Sequence, residues 1–156
     1  MNYNREDKYK QLFPQIKALI TKDRFISNLS TFSAFIYHEF SFFWVGFYLL
    51  DKKELVVGPY QGPVACLSLP YGKGVCWKAI LNQKSIIVPD VDEFEDHISC
   101  NPLSKSEIVI PLHDSDNTIL GVLDIDSDQY NAFDETDRIY LEEYVDLIKR
   151  SPDYLF

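Results

Sequence analysis

The sequence predicts an α+β domain with a central antiparallel sheet and flanking helices, and three observations carry that expectation. Apolar residues recur at spacings of three and four between Arg5 and Phe40. Short β-branched and aromatic runs joined by polar turns then read as hairpins. Helical patterning returns at Val75 and again after Asp134. Strands in hairpin runs, with helices before, between and after them, argue for an antiparallel core over a doubly wound parallel sheet. The chain has 156 residues, 46% hydrophobic and 25% charged, with no repeat or low-complexity tract. That fits one domain over residues 1–156, long enough to bury its own core.

Element by element, Leu12, Ile16, Leu19 and Ile20, then Ile26, Leu29, Phe32, Ile36 and Phe40, give two helices broken around Thr21 to Arg24. Pro14 places the start of the first near Phe13, with proline in its first turn, or a bend there. The runs FFWVGFYLL and ELVVGPY flank Asp51-Lys52-Lys53 as a hairpin, and a third strand covers Cys66 to Leu69. The glycine turn Gly72-Lys73-Gly74 feeds a helix from Val75 to Leu81, followed by a strand from Ser85 to Val88. Pro89 to Lys105 is a long polar connection with five acids, carrying His97 and Cys100. SEIVIPL and TILGVLDID form a second hairpin, and Asp134-Glu135-Thr136 opens the last helix with acids suited to its positive end. The order is ααβββαβββα.

Charge and thiols narrow the function. Fifteen Lys and Arg against 24 Asp and Glu give a net charge of -9, the wrong sign for nucleic acid or an anionic membrane. The longest apolar stretch, Phe42 to Leu50, is nine residues, short of the ~20 that span a bilayer. The N-terminus lacks the apolar run of a signal peptide, so a cytoplasmic location is expected. In a reducing cytosol the three cysteines, Cys66, Cys76 and Cys100, read as thiols with redox, nucleophilic or packing roles.

Strand alternation puts Asp124 and Asp126 on one face with Leu120 and Val122, and Leu123 and Ile125 on the other. The preceding strand offers Glu107 and Val109 on one face. If these strands pair, the three carboxylates cluster; otherwise they point to water from the sheet end. Asp124-Ile125-Asp126-Ser127-Asp128 begins like a calcium loop, but Gln129 stands where that loop needs glycine and the approach is strand. The absence of a C-x-x-C pair argues against structural zinc, and no metal is expected. Cys76, just inside a helix start beside Lys73, is either a thiol favoured as thiolate or a small packing residue. The acids around Cys100 oppose its ionisation, whereas a protonated His97 would favour it.

Six stretches go further: Trp44-Val45-Gly46-Phe47-Tyr48, Gly58-Pro59-Tyr60-Gln61-Gly62, Gly72-Lys73-Gly74-Val75-Cys76, His97-Ile98-Ser99-Cys100, Ser106-Glu107-Ile108-Val109-Ile110-Pro111 and Gly121-Val122-Leu123-Asp124-Ile125-Asp126-Ser127. In these the chain resembles the free methionine-R-sulfoxide reductases, single-domain enzymes of GAF fold. The resemblance implies reduction of the R-epimer of free methionine sulfoxide, with Cys100 attacking the sulfoxide sulfur and keeping a sulfenic acid. It implies that Cys76 resolves this acid as a disulfide, that Cys66 is auxiliary, and that thioredoxin reopens the disulfide without any bound cofactor. Glu107, Asp124 and Asp126 match the family's acidic cluster, which holds the substrate ammonium and assists protonation of the sulfoxide oxygen, and Trp44 matches a pocket wall. Trp77, Ser68 and Asn101 depart from the family pattern, and Trp77 is expected to reshape the Cys76 helix start. The resemblance also implies a homodimer. The rival reading is a non-catalytic GAF module that binds a small regulatory ligand.

Overall fold

A computed structural model describes residues 4–149. Helix α1 spans Arg5–Leu19 and is capped by Asn4, whose side chain accepts from the Glu6 amide. The cap, not Pro14, sets the helix start at Arg5, so of the two readings of Pro14 a start near Phe13 is excluded and the helix runs through the proline. Pro14 stays inside the helix, and the bond it forgoes is to the carbonyl of exposed Lys10. Water can satisfy that carbonyl.

Helix α2 (Phe25–Phe40) ends at Ser41 in the left-handed conformation and leads into β1 (Trp44–Asp51). The hairpin partner β2 (Glu54–Gln61) is followed by the short β3 (Ser68–Pro70), α3 (Gly74–Asn82) and β4 (Ile86–Val88). The polar connection beyond β4 holds one turn of 3-10 helix, Val91–Glu93. The second hairpin is β5 (Ser106–His113) with β6 (Ile119–Ser127), and α4 (Glu135–Val145) closes the order. The third strand begins at Ser68, so Cys66 lies in the loop before it rather than in the strand the sequence suggested.

The strands form one antiparallel sheet in the order β3-β2-β1-β6-β5-β4. The two hairpins meet along β1 and β6, where Gly121 is indispensable: a Cβ there would lie 2.1 Å from the Tyr48 carbonyl oxygen. One face packs against α1, α2 and α4 through Tyr9, Ile16, Leu29, Phe32, Leu141 and Tyr144, with Val45, Phe47, Ile108, Ile110, Leu123 and Ile125 facing them from the strands. Asp137, fully buried, ties α4 to α1: it accepts from the Tyr9 hydroxyl at 2.8 Å and pairs with Arg5 at 2.7 Å. Among the described residues the opposite face is covered by α3 and the loops, over Tyr48, Leu55, Val109 and Val122. That lighter cover leaves room for a cavity.

Candidate active site

Register brings the acids together. Across three neighbouring strands Trp44 pairs with Asp126 and Asp126 with Glu107; the next row holds Gly46, Asp124 and Val109. Directly opposed residues have Cβ atoms about 4.5–5.5 Å apart, and Asp124 sits diagonally from Glu107. All three carboxyls share the lightly covered face with Trp44 and Tyr48. Gly46 makes that row possible, because a Cβ there would meet the Trp44 ring at 2.5 Å and the Tyr60 Cβ at 2.3 Å. The Trp44 ring can therefore lie over the strand and stack on Tyr60, centroids 5.1 Å apart.

Two loops roof this floor. Trp44 Nε1 donates to the Pro63 carbonyl at 3.1 Å and the Tyr48 hydroxyl to the Cys66 carbonyl at 3.0 Å, so two aromatics of β1 fix the loop carrying Cys66. The long acidic connection brings Cys100 over the same floor. A disulfide joins Cys66 to Cys100, with Cα atoms 5.4 Å apart. Gly74, with φ of +82°, lets α3 begin under Ile98 of that connection. The cavity between floor and loops, open to solvent on one side, is lined by Cys76, Cys100, His97, Glu107, Asp124 and Asp126 among others.

Crowding and burial set the protonation states. Burial, then the neighbouring Asp126, pushes Glu107 up to about 8. Burial and Glu107 push Asp124 well above the carboxylate range; burial and Asp124 do the same for Asp126, which a hydrogen bond with Ser104 partly offsets. At neutral pH the cluster therefore holds protons, which is the state a general acid needs. Burial also lowers His97, whose Nε2 is 3.7 Å from Glu107 Oε2, against the raising charge of Asp92. A neutral His97 does not supply the positive charge that would favour a Cys100 thiolate.

The GAF domain model matches residues 34–150 of the chain. A GAF domain-containing protein A of Dictyostelium discoideum is 49% identical over 147 residues, covering 93% of this chain and 92% of its own length. A free methionine-R-sulfoxide reductase of Saccharomyces cerevisiae is 38% identical over 159 residues, covering 96% of this chain and 88% of its own. The X-ray structure of free methionine-R-sulfoxide reductase from Neisseria meningitidis, solved in complex with its substrate, superposes with a TM-score of 0.90 at 41% identity and covers 96% of this chain and 90% of that one. The chain belongs to the GAF-domain family of free methionine-R-sulfoxide reductases.

As a member of the free methionine-R-sulfoxide reductase family, the chain gathers every residue that the resemblance singled out. Trp44, Cys76, Cys100, Glu107, Asp124 and Asp126 line the cavity, and Cys66 is bonded to Cys100. The pairing corrects one expectation. Cys100 is joined to Cys66, and Cys76 is the free, buried cysteine. The physical reason is placement: the loop pinned by Trp44 and Tyr48 presents Cys66 to the acidic connection, while the first turn of α3 turns Cys76 down onto Asp124 and Glu107.

Of the two readings of Cys76 the buried one holds and the thiolate does not: burial, and then Asp124 and Glu107, raise its thiol well above the ordinary value despite the helix start and Lys73. Trp77 Nε1 donates to the Leu69 carbonyl at 3.1 Å and its ring meets Tyr71 edge-on. Sequence reasoning missed Tyr48 as the anchor of the Cys66 loop and Ser104 as the partner of Asp126. Tyr48 was findable, since it shares the period-two face of Trp44; Ser104 carries no local signal.

Proposed function

We propose that the chain reduces the R-epimer of free L-methionine sulfoxide to methionine with an external thiol. The observation that carries this reading is a cysteine pair, Cys66 and Cys100, closed over a floor of three proton-holding carboxyls in one cavity. Cys100 Sγ attacks the sulfoxide sulfur, oxygen passes to the protein as a Cys100 sulfenic acid, and methionine leaves. The Cys66 thiol then condenses with the sulfenic acid, releasing water and forming the disulfide. A thioredoxin-type dithiol reopens it, becoming oxidised itself; no bound cofactor takes part.

The carboxyls have separable tasks. Glu107, the acid with a working proton near neutral pH, donates toward the sulfoxide oxygen as the sulfur–oxygen bond weakens. Asp124 and Asp126 receive the substrate ammonium; its positive charge stabilises their ionised forms and compensates the burial that otherwise keeps them protonated. A buried ammonium site explains a preference for the free amino acid, because a peptide-bound methionine offers no such charge. Trp44 supplies an apolar wall for the methyl sulfoxide end. The reaction is assigned to the cytoplasm, where such reductants are found.

The test is consumption of free L-methionine-R-sulfoxide with dithiothreitol or a thioredoxin system, using the S-epimer as control. R-selective turnover that disappears in Cys100→Ser is the expected result. A folded wild-type protein that binds amino acids but turns over neither epimer would overturn the proposal in favour of a non-catalytic GAF module.

A further inference from the structure

Cys76 takes no part in the disulfide and has no step in the proposed chemistry, yet it sits in the most polar part of the buried face. Its Sγ, one carboxylate oxygen of Glu107 and one of Asp124 all lie within 4.8 Å of one another, and all three residues are buried. Asp124 Oδ1 is the one buried side-chain polar atom among the described residues without a hydrogen-bond partner. That carboxyl is hydrogen-bonded with Cys76 and Glu107, and its remaining oxygen is a buried acceptor open to a ligand.

We propose that Cys76, Glu107 and Asp124 form a binding site for a borderline-soft divalent cation of the zinc type, with three protein ligands and a fourth position open to the cavity. One sulfur and two oxygens suit such an ion. Bond lengths of about 2.3 Å to sulfur and 2.0–2.2 Å to oxygen put tetrahedral ligand atoms roughly 3.5 Å apart. From atoms within 4.8 Å of one another, that spacing needs a contraction of about 1.3 Å at most. Calcium and magnesium want six or more oxygen donors and gain nothing from a thiolate.

The ligands are held from different elements, the first turn of α3 and the adjacent strands β5 and β6, so the site is pre-formed by the fold. His97 and Cys100 line the same cavity. An ion here occupies carboxylates that the proposed function assigns to the substrate, so it would block that pocket; the binding itself does not depend on the reductase reading.

The redox state of the other two cysteines makes the test clean. With Cys66 and Cys100 joined, Cys76 is the sole thiol of the chain, and any thiolate-to-metal charge-transfer band must arise from it. The oxidised full-length protein, free of reductant, is titrated with cobalt(II), and zinc is added as competitor. A saturable near-ultraviolet band, abolished by zinc and absent from Cys76→Ser, is expected, with at least tenfold weaker binding in Asp124→Asn. Asp124→Asn keeps the side-chain size, so it decides the matter if Cys76→Ser fails to fold. No saturable band in the wild type, or cobalt affinity unchanged in Asp124→Asn, would overturn the site, and neither result bears on sulfoxide turnover.

Discussion

Along β6, Leu123 and Ile125 enter the apolar layer under α1, α2 and α4, while Asp124 and Asp126, their immediate neighbours, enter the cavity on the other face. The helix-covered face is filled by aliphatic and aromatic side chains, and its buried Asp137 is fully satisfied by Tyr9, Arg5 and the Asp134 amide. The cavity face holds two buried carboxyls, a half-buried one at Asp126 and a buried thiol, whose mutual repulsion and desolvation favour their protonated forms. Two surfaces of one sheet thus divide the labour. One supplies the free energy of folding, and the other uses part of it to hold acids in the protonation state that the proposed chemistry needs.

Substitutions on the two faces should therefore separate activity from stability. The largest expected effect on the cavity side is Glu107→Gln, which keeps shape but removes the transferable proton. Turnover of free methionine-R-sulfoxide should fall by about 10²–10⁴, while the melting temperature stays level or rises. A variant as active as wild type would dissolve the distinction between the faces.

On the helix side, Leu123→Ala should cost about 2–5 kcal/mol in urea unfolding because the fully buried side chain leaves a cavity between sheet and helices. Its turnover per folded molecule should change far less than that of Glu107→Gln. Severe loss of activity in a well-folded Leu123→Ala protein would mean that the faces are mechanically coupled.

Linkage gives a third handle. Below pH 4.5 Glu107 is protonated whether the chain is folded or not; between 4.5 and about 8 the unfolded chain releases the proton and the native state keeps it. Stability should fall as pH rises through that window, and Glu107→Gln should flatten the fall in thermal unfolding across the same range. Activity that needs the Glu107 proton should decline above about pH 8. The smallest effect belongs to Trp44→Phe, which loses the bond to the Pro63 carbonyl. About 0.5–1.5 kcal/mol of stability should disappear, together with faster alkylation of Cys66 in the reduced protein.

The same contrast explains what could be read from the sequence. Period two in TILGVLDID sorted Leu123 and Ile125 from Asp124 and Asp126, and helical spacing in Leu12, Ile16, Leu29 and Phe32 marked the elements that cover one face. Pro14 left two readings open, and the Asn4 cap with the packing of Tyr9 and Leu12 decides against a start near Phe13. The thiols were harder. Dipole and Lys73 arguments for Cys76 use neighbours in sequence, whereas the acids that control it arrive from β5 and β6. The choice of Cys66 as partner depends on a loop position set by Trp44 and Tyr48, which spacing along the chain does not encode.

The most direct test of the account is a single turnover: fully reduced protein mixed with one equivalent of free L-methionine-R-sulfoxide, quenched by alkylation, and mapped by peptide mass spectrometry. One methionine formed per Cys66–Cys100 disulfide, with Cys76 recovered as an unpaired thiol, is the predicted result. Methionine formed together with a disulfide to Cys76, or a Cys66–Cys100 disulfide arising without methionine, would contradict it.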